Sequence, residues 1–487
     1  MKESWRIENF GVKVPTQVVM SDKESRALKI LDATTKYVNG RWESGLLWKR
    51  DDVKFPESYS TAFHRLKTME RKMDKDPEFA DQYCQKIKDY VKKSYAKKVD
   101  PKEDIDGLRI WYLPHFAVKN DNKPGKIRFV FDAAAESNGT SLNDNLLTGP
   151  DLLNPLTSIL YKFRQRRVAF GADIKEMFHQ VMIRSEDRSA QRFLWRGKDR
   201  DREPDIFEMQ AMTFGASSSP CTAHYVKNKN AITFSKDPEI IDAIVKRHYV
   251  DDYLDSCNDP DQSLDRILKV IKVSAQGGFE IRGWTCSSKG VLSRIPQNLR
   301  ATTDEEIIWT GDLPVERVLG LRWNPNTDTF GFHVKKEKTD FKGESAVTKR
   351  QVLKLVMSLF DPLGFLSNYI VQAKILLQDV WRTEIGWDDE LAGENLLKWT
   401  HWFGELKQIE KIQIPRCYSN MTADNPNIQL HVFCDASEQV FAAVAYLRIT
   451  KRMKTEVAFV CGKTRVAPLR PTSIPRLELQ AAVIRAG

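Results

Sequence analysis

Cysteine is scarce in this 487-residue chain, and its placement excludes more than its number does. Cys84, Cys221, Cys257, Cys286, Cys417, Cys434 and Cys461 form no C-x-x-C pair. Free thiols of an intracellular protein are expected, not a disulfide framework or a zinc site. Long apolar runs are missing too. No stretch approaches the roughly 18 apolar residues that would cross a bilayer. The N-terminal MKESWRIENFGVKV lacks the apolar centre of a signal peptide. No internal repeat and no low-complexity tract occurs, which excludes solenoid and linker-rich architectures.

What is present is a chain long enough for two to four domains, with 41% apolar residues. Lys and Arg number 76 against 66 Asp and Glu, for a net charge of +10 and a pI near 9.0. That balance favours a polyanionic partner, most plainly nucleic acid. The charge is dispersed, however. In KMDKDPEFADQYCQKIKDYVKKSYAKK the two signs alternate, as on a solvated helix face.

Apolar spacing predicts helix from Ser58 to Lys98. Strands are predicted at GLRIWYLPHFAV and GKIRFVFDAAA, around the polar turn KNDNKPGK. DLLNPLTSILYKFRQRR reads as a helix capped by Asp151 or Asn154, and VAFGADI as a buried strand ending at Asp173. A short strand in HYVDDYLDS turns at Asp251-Asp252 and returns through YLDSC. A helix over SLDRILKVIKVSAQGG closes at Gly277 and Gly278. A further strand pair lies at VERVLGLRWNPNTDTFGFHV. Beyond it comes a helical pair broken at DPLG, then two strands in IQLHVFCDASEQVFAAVAYLRI and a helix from SIPRLELQ onward. Boundaries are placed near residues 100, 330 and 425.

The paired aspartates Asp251 and Asp252 raise the chemical question. Like charges side by side at the end of an apolar strand are costly without compensation. Asp51-Asp52 and Asp388-Asp389 are also adjacent, so the dipeptide alone decides nothing. Asp173 ends another buried strand. Strand-end carboxylates converging on one point need a cation, and Mg²⁺, hard and oxygen-seeking, is the natural one. Successive strand side chains face opposite ways. Asp251 is therefore expected to be the stronger ligand of its pair unless both residues sit in the turn.

ADIKEMF, TFGASSSP, YVDD, GGFEI and VLGLRW stand in the order of reverse-transcriptase motifs. The chain resembles the BEL/Pao class of LTR retrotransposons, most specifically through KIRFVFDAAAESNGTSLNDNLLTGPDLLNPLTSILYKFR and SLFDPLGFLS. The resemblance implies an α+β right-hand polymerase of fingers, palm and thumb, followed by a truncated RNase H-like α/β domain. Its parts would be a helical polar lead-in over 1–100, fingers and palm over 101–330, and thumb and connection over 331–425. The start of the RNase H-like domain would cover 426–487. The implied activity is RNA-directed and DNA-directed DNA synthesis with two Mg²⁺ ions, Mn²⁺ being a substitute. Asp173, Asp251 and Asp252 match the catalytic metal ligands. Lys126, Arg128, Phe178, Phe214 and Gly215 match positions around the incoming dNTP, Phe178 being the aromatic that blocks a ribose 2′-OH. Leu319, Gly320 and Trp323 match the primer grip, against a reading of ordinary strand packing. Asp435 and Glu478 match two of the four RNase H metal ligands.

The implied partners are an RNA template, a DNA primer or template, dNTPs and other products of the retroelement polyprotein (protease, integrase, Gag), with no membrane. The implied location is the cytoplasm, in virus-like particles, or the nucleus. Departures are visible. RGWTCSSK follows GGFEI where relatives carry a lysine proposed as the acid for pyrophosphate, leaving Arg282 and Lys289 as candidates. Ala134 stands where many relatives have arginine. No D-[ST]-G triplet and no H-H-C-C pattern occurs, so neither a retroviral-type protease site nor an integrase head is visible. The alternative is a decayed or co-opted element that binds nucleic acid without catalysis. A viral RNA-copying polymerase is disfavoured by Phe178 and the RNase H start. With two RNase H acids beyond Gly487, no cleavage of the RNA in a hybrid is expected. Fragment release from labelled RNA·DNA that depends on metal and is lost in Asp435→Asn would contradict this.

Overall fold

The computed structural model of the chain describes residues 20–99, 109–119, 127–302, 311–334, 347–420, 427–451 and 454–486. Helix α1 (Asp22–Thr34) opens on a capping box, in which Ser21 and Glu24 exchange side-chain and backbone hydrogen bonds. The long helix expected from Ser58 to Lys98 is three elements. α2 (Tyr59–Lys75) and α3 (Pro77–Lys92) are split where Asp76 accepts from the Phe79 amide at 3.0 Å and Pro77 restarts the helix. Ala96–Lys98 is then a strand, β1. The charged spacing of KKSYAKK gave no hint of strand, because its partner, Asp205–Met209, lies far along the chain.

β2 (His115–Lys119) and β3 (Ile127–Phe131) form the expected antiparallel pair. α4 (Leu156–Phe163) starts at Pro155 without a side-chain cap. Asp151 instead accepts from the Leu153 amide, and the Asn154 amide donates to the Val245 and His248 carbonyls. The cap expected of those two residues was therefore wrong. β4 (Val168–Ile174) is the buried strand. β5 (Arg192–Trp195) and β6 (Asp205–Met209) join β1 in the order β1-β6-β5. α5 (Ser219–Phe234) precedes the hairpin β7 (His248–Tyr249) and β8 (Asp252–Cys257). α6 (Pro260–Gln276) ends at Gly277, as expected, and β9 (Ile281–Cys286) follows. β7-β8-β4-β9 is an antiparallel sheet, with α6 packed on it.

The boundary expected near residue 100 is not a break in packing. Leu66, Met73, Phe79, Tyr83, Ile87 and Tyr90 of α2 and α3 share one core with Phe129, Phe131, Phe193 and Trp195. The boundary near 330 is also crossed. β10 (Glu316–Val318), β11 (Leu321–Asn324) and β12 (Thr329–Gly331) form a sheet completed by β13 (Gln413–Pro415). Between them lie α7 (Lys349–Val356), α8 (Ser367–Arg382) and α9 (Gly393–Glu405). Pairing across such a separation leaves no local trace in sequence. The C-terminal sheet has three strands, not two. β14 (Asn427–Ala436), β15 (Val440–Lys451) and β16 (Lys454–Val466) run in order, with α10 (Ile474–Ala486) against β14 and β15.

Two devices join this last sheet to the rest. Arg416, fully buried, pairs with Asp328 at 2.6 and 2.7 Å and donates to the Arg167 carbonyl; Arg164 reaches the Val460 carbonyl at 3.0 Å. The DPLG break is the other. Asp361 accepts from the Phe365 and Leu366 amides, turning the chain so that the Leu363 carbonyl meets the Gly462 amide at 2.8 Å. A side chain at Gly364 (φ +74°) would strike the Gly462 oxygen at 1.8 Å.

Several histidines are interior. His115 donates Nε2–H to the Leu194 carbonyl, His179 donates Nδ1–H to that of Met212, and His248 donates Nδ1–H to that of Ile244. Burial lowers His115, His179 and His224 to about 4, and takes His248 well below its usual value. These rings are neutral in the fold and protonate first in the unfolded chain. Their contribution is complete above about pH 6.5 and is lost as pH falls from there towards 4, by up to about 3 kcal/mol per ring. The denaturation midpoint is expected to fall steeply between pH 6.5 and 4.5; a flat profile there would refute the assignment.

Candidate active site

The site is built by one cross-strand register. β4 and β8 pair antiparallel with Asp252 directly opposite Asp173, and the Ile174 amide donates to the Asp251 carbonyl at 2.8 Å. All three acids are therefore at one end of the central sheet. The tight turn of the β7–β8 hairpin is Val250-Asp251, since Tyr249 pairs with Asp252. This is one residue earlier than expected: Asp252 begins the strand, and Asp251 alone lies in the turn. Val250 takes φ +54°, a conformation that a β-branched residue adopts only at a cost of about 1–3 kcal/mol.

The electrostatics are those of crowded like charges. Burial, then Asp251, then Asp173 push the Asp252 carboxyl up to about 7. Asp251 is also raised, first by burial and also by Asp173; its own amide and the charge of Arg128 pull the other way. Arg128, exposed on β3, is thus within electrostatic reach of Asp251. On the far side of β4, Arg282 is the register partner of Asp173, with Nε 3.7 Å from Oδ2. Among the described residues no three His, Cys, Asp or Glu side chains already form a chelating group. The donor set nonetheless fits a hard divalent ion. It consists of carboxylate oxygens whose repulsion such a cation would relieve, with no sulfur or imidazole among them.

Around the acids, Phe178 lies in a 3₁₀ turn, Met177–Gln180, with its ring 4.7 Å from that of Phe214. The Phe131 amide donates to the Phe214 carbonyl. Gly215 (φ +119°) is tight, because a Cβ there would sit 2.0 Å from the Phe131 oxygen. The resemblance places Gly215 beside the incoming dNTP; in the structure its backbone lies close against that of Phe131. Lys126 lies outside the described residues. Leu319 (φ +47°) and Gly320 (φ +89°) form the two-residue turn joining β10 and β11. Only Gly320 of the grip positions is exposed. Trp323 is wholly buried, its indole donating to Asp328 and its ring edge-on to Phe163. Its side chain packs the core, the ordinary reading weighed against a primer contact. Lys289 donates to the Gly311 carbonyl, so it is not directed at the acids.

Asp435, in β14, and Glu478, in α10, are both exposed, and Asp435 accepts from the adjacent Ala436 amide. Ala436 and Leu477 join the small apolar cluster between sheet and helix, so the segments carrying the two acids are packed together.

Sequence reading missed Gly283. It stands at φ +67° in a register irregularity of β9, and a Cβ there would lie 2.8 Å from Asp173 Oδ1. A glycine inside a strand is the signal that could have pointed to it.

Comparison with known proteins fits this geometry. Residues 348–487 match the Pao retrotransposon-like RNaseH-like domain. The foamy viral protease-reverse transcriptase dRH in complex with ds DNA superposes with a TM-score of 0.54. It covers 99% of this chain and 72% of its own, at 13% identity. The foamy viral protease-reverse transcriptase in complex with RNA/DNA hybrid gives 0.52, covering 99% and 55%, also at 13% identity. The chain shares the fold of these reverse transcriptases. No curated protein matches the chain. The motif-based resemblance to Pao-class reverse transcriptases, and the α+β polymerase with an RNase H-like domain, are both borne out. The Pao-type match begins at 348, inside the segment assigned above to thumb and connection, and takes in the DPLG turn.

Gly283→Ala is expected to displace the Asp173 carboxyl while leaving the sheet paired. Primer extension should fall on the order of 10²-fold with a melting temperature within a few degrees of wild type. Full extension by the alanine variant would show that Asp173 tolerates the intrusion.

Proposed function

We propose that the chain is an RNA- and DNA-directed DNA polymerase that adds dNTPs to a primer 3′-OH. The observation that carries this reading is the register that sets Asp252 opposite Asp173 with Asp251 at the adjoining turn. Asp173 and Asp251 would hold the ions, and Asp252 would add the third carboxylate. When bound, the Mg²⁺ pair supplies the Lewis acidity that eases loss of the 3′-OH proton and offsets triphosphate charge. The adjacent backbones of Asp173, Asp251 and Asp252 would let side-chain rotation bring their carboxylates within reach of such ions.

Arg128 lies along the incoming triphosphate, consistent with its electrostatic reach to Asp251. Phe178 stands against C2′ of the sugar, where hydrogen fits and hydroxyl does not. Phe214 and Gly215 form the wall beside it. The exposed turn at Gly320 offers backbone to the primer, with Leu319 and Trp323 anchoring it from the core. Arg282 is no general acid for pyrophosphate, because a guanidinium does not give up its proton near neutrality. Its place beside Asp173 suits a counter-charge instead. An RNA template and a DNA primer or template are the nucleic-acid partners. The similar structures, solved in complex with ds DNA and with RNA/DNA hybrid, support this class of ligand, as does the net charge of +10.

The test is primer extension on poly(rA)/oligo(dT) with Mg²⁺. Wild type extends the primer, and Asp251→Asn loses on the order of 10²-fold or more in rate. Both proteins should bind the hybrid equally, with an affinity that falls as salt rises. Salt-sensitive binding by wild type without any extension would instead establish a nucleic-acid-binding protein that does not catalyse.

A further inference from the structure

The segment before residue 100 converges on one short stretch of the polymerase site. That stretch is Glu176 to Gln180, which carries Phe178. The chain enters the 3₁₀ turn through Glu176 at φ +48°, the left-handed region that a glutamate adopts only under constraint. The constraint is visible. Lys93 Nζ stands 2.7 Å from one carboxylate oxygen of Glu176 and Lys86 Nζ 3.2 Å from the other, and the Tyr95 hydroxyl donates to the first at 3.3 Å. Burial alone would raise this carboxyl, but Lys93 and Lys86 outweigh it and hold Glu176 at about 2.

The other side of the turn is held in the same way. His179, next to Phe178, donates Nδ1–H to the Met212 carbonyl, so its Nε2 is an acceptor. The Tyr90 hydroxyl donates to that Nε2 at 2.9 Å. Gln180 donates to the Tyr95 hydroxyl and accepts from Arg41 Nη2 at 2.9 Å. Arg41, Lys86, Tyr90, Lys93 and Tyr95 thus bracket the aromatic residue on both sides, and all five precede residue 100 in the chain. A segment whose only task was to cover the core would have no need to place charged and hydroxyl partners on Glu176, His179 and Gln180, three of five consecutive residues. Steric exclusion of a hydroxyl depends on clearance of less than an ångström, so an aromatic that acts in that way needs a backbone that does not give.

We propose that the N-terminal segment, through Lys86, Tyr90, Lys93 and Tyr95, positions Phe178 and so sets how strictly the polymerase rejects a ribonucleotide. This rests on the reading of Phe178 under Proposed function. The four are positioning residues: none is assigned to the nucleotide or the acids, and each acts through Glu176, His179 or Gln180. Released from its clamp, Glu176 would relax towards an ordinary φ and carry the ring with it.

The experiment compares kcat/KM for dTTP and rUTP on poly(rA)/oligo(dT) in wild type, Phe178→Ala, Tyr90→Phe and the double variant Lys86→Ala/Lys93→Ala. Tyr90→Phe removes a single oxygen and keeps the packed ring, so it tests the idea even if the double variant does not fold. Discrimination is expected to fall roughly 10-fold in Tyr90→Phe and in the double variant, mainly through a gain in rUTP use. The dTTP kcat should stay within about threefold of wild type, and Lys86→Arg/Lys93→Arg should restore selection. In the Phe178→Ala background the same changes should add nothing. Lower melting temperatures with sugar selection unchanged would overturn the proposal, because the anchors would then serve the fold alone. Unchanged selection in Phe178→Ala would overturn the reading of Phe178 itself, a distinct result.

Discussion

The pairing of β4 with β8 is the constraint on which the rest of the molecule turns. A slip of one residue would send Asp252 away from Asp173 and move every apolar side chain of β8 to the wrong face. The register is held from both directions. Phe170 and Tyr253 lie in the main core with Trp284 of β9, while Ala169 and Leu254 join Leu160, Phe163, Leu319 and Trp323 on the opposite face. Because both faces are covered, the sheet can tolerate the repulsion that gathers at its end. The strain at Val250 and the raised Asp252 belong to the same economy: a rigid sheet stabilises a charge arrangement that no flexible loop would hold.

Around that sheet, the supporting parts are less modular than their order in the chain implies. α2 and α3 pack into the same core as the β2–β3 hairpin, and their polar side chains reach the turn that carries Phe178. On the other side, Arg416 and Arg164 tie α4 to β13 and β16. The DPLG turn presents a carbonyl to the C-terminal sheet at Gly462. Buried arginines whose donors are spent on carbonyls and one carboxylate give such a junction geometric definition more than strength. The Pao-type domain and the central sheet are thereby joined through specific groups rather than through a loose linker.

Where sequence reading succeeded and failed follows from the range of the interactions. Helices ending at Gly277, the β2–β3 pair, the strand into Asp173 and the hairpin near Asp251 were legible because turn chemistry and alternation act over a few residues. The break at Asp76-Pro77 was equally local and was passed over: a continuous 3.6-residue spacing masked the cap. β1 and β13 were invisible because each depends on a partner far along the chain. Trp323 illustrates the limit at the level of a single residue. A motif gives its position, but not whether its ring faces a ligand or a core.

The amino-acid sequence by itself determined which chemical groups are available. It supplies three aspartates at strand ends, an arginine on a β-hairpin, an aromatic five residues after Asp173, and an excess of positive charge. These depend on residue type and local spacing, and both are written in the chain. Only the tertiary structure decided that Asp173 and Asp252 face one another, that Gly283 leaves room for a carboxylate, and that helices from the first hundred residues clamp Glu176 and His179. Those facts come from burial and register between distant segments, where the free energy of packing, rather than any local preference, selects the partner.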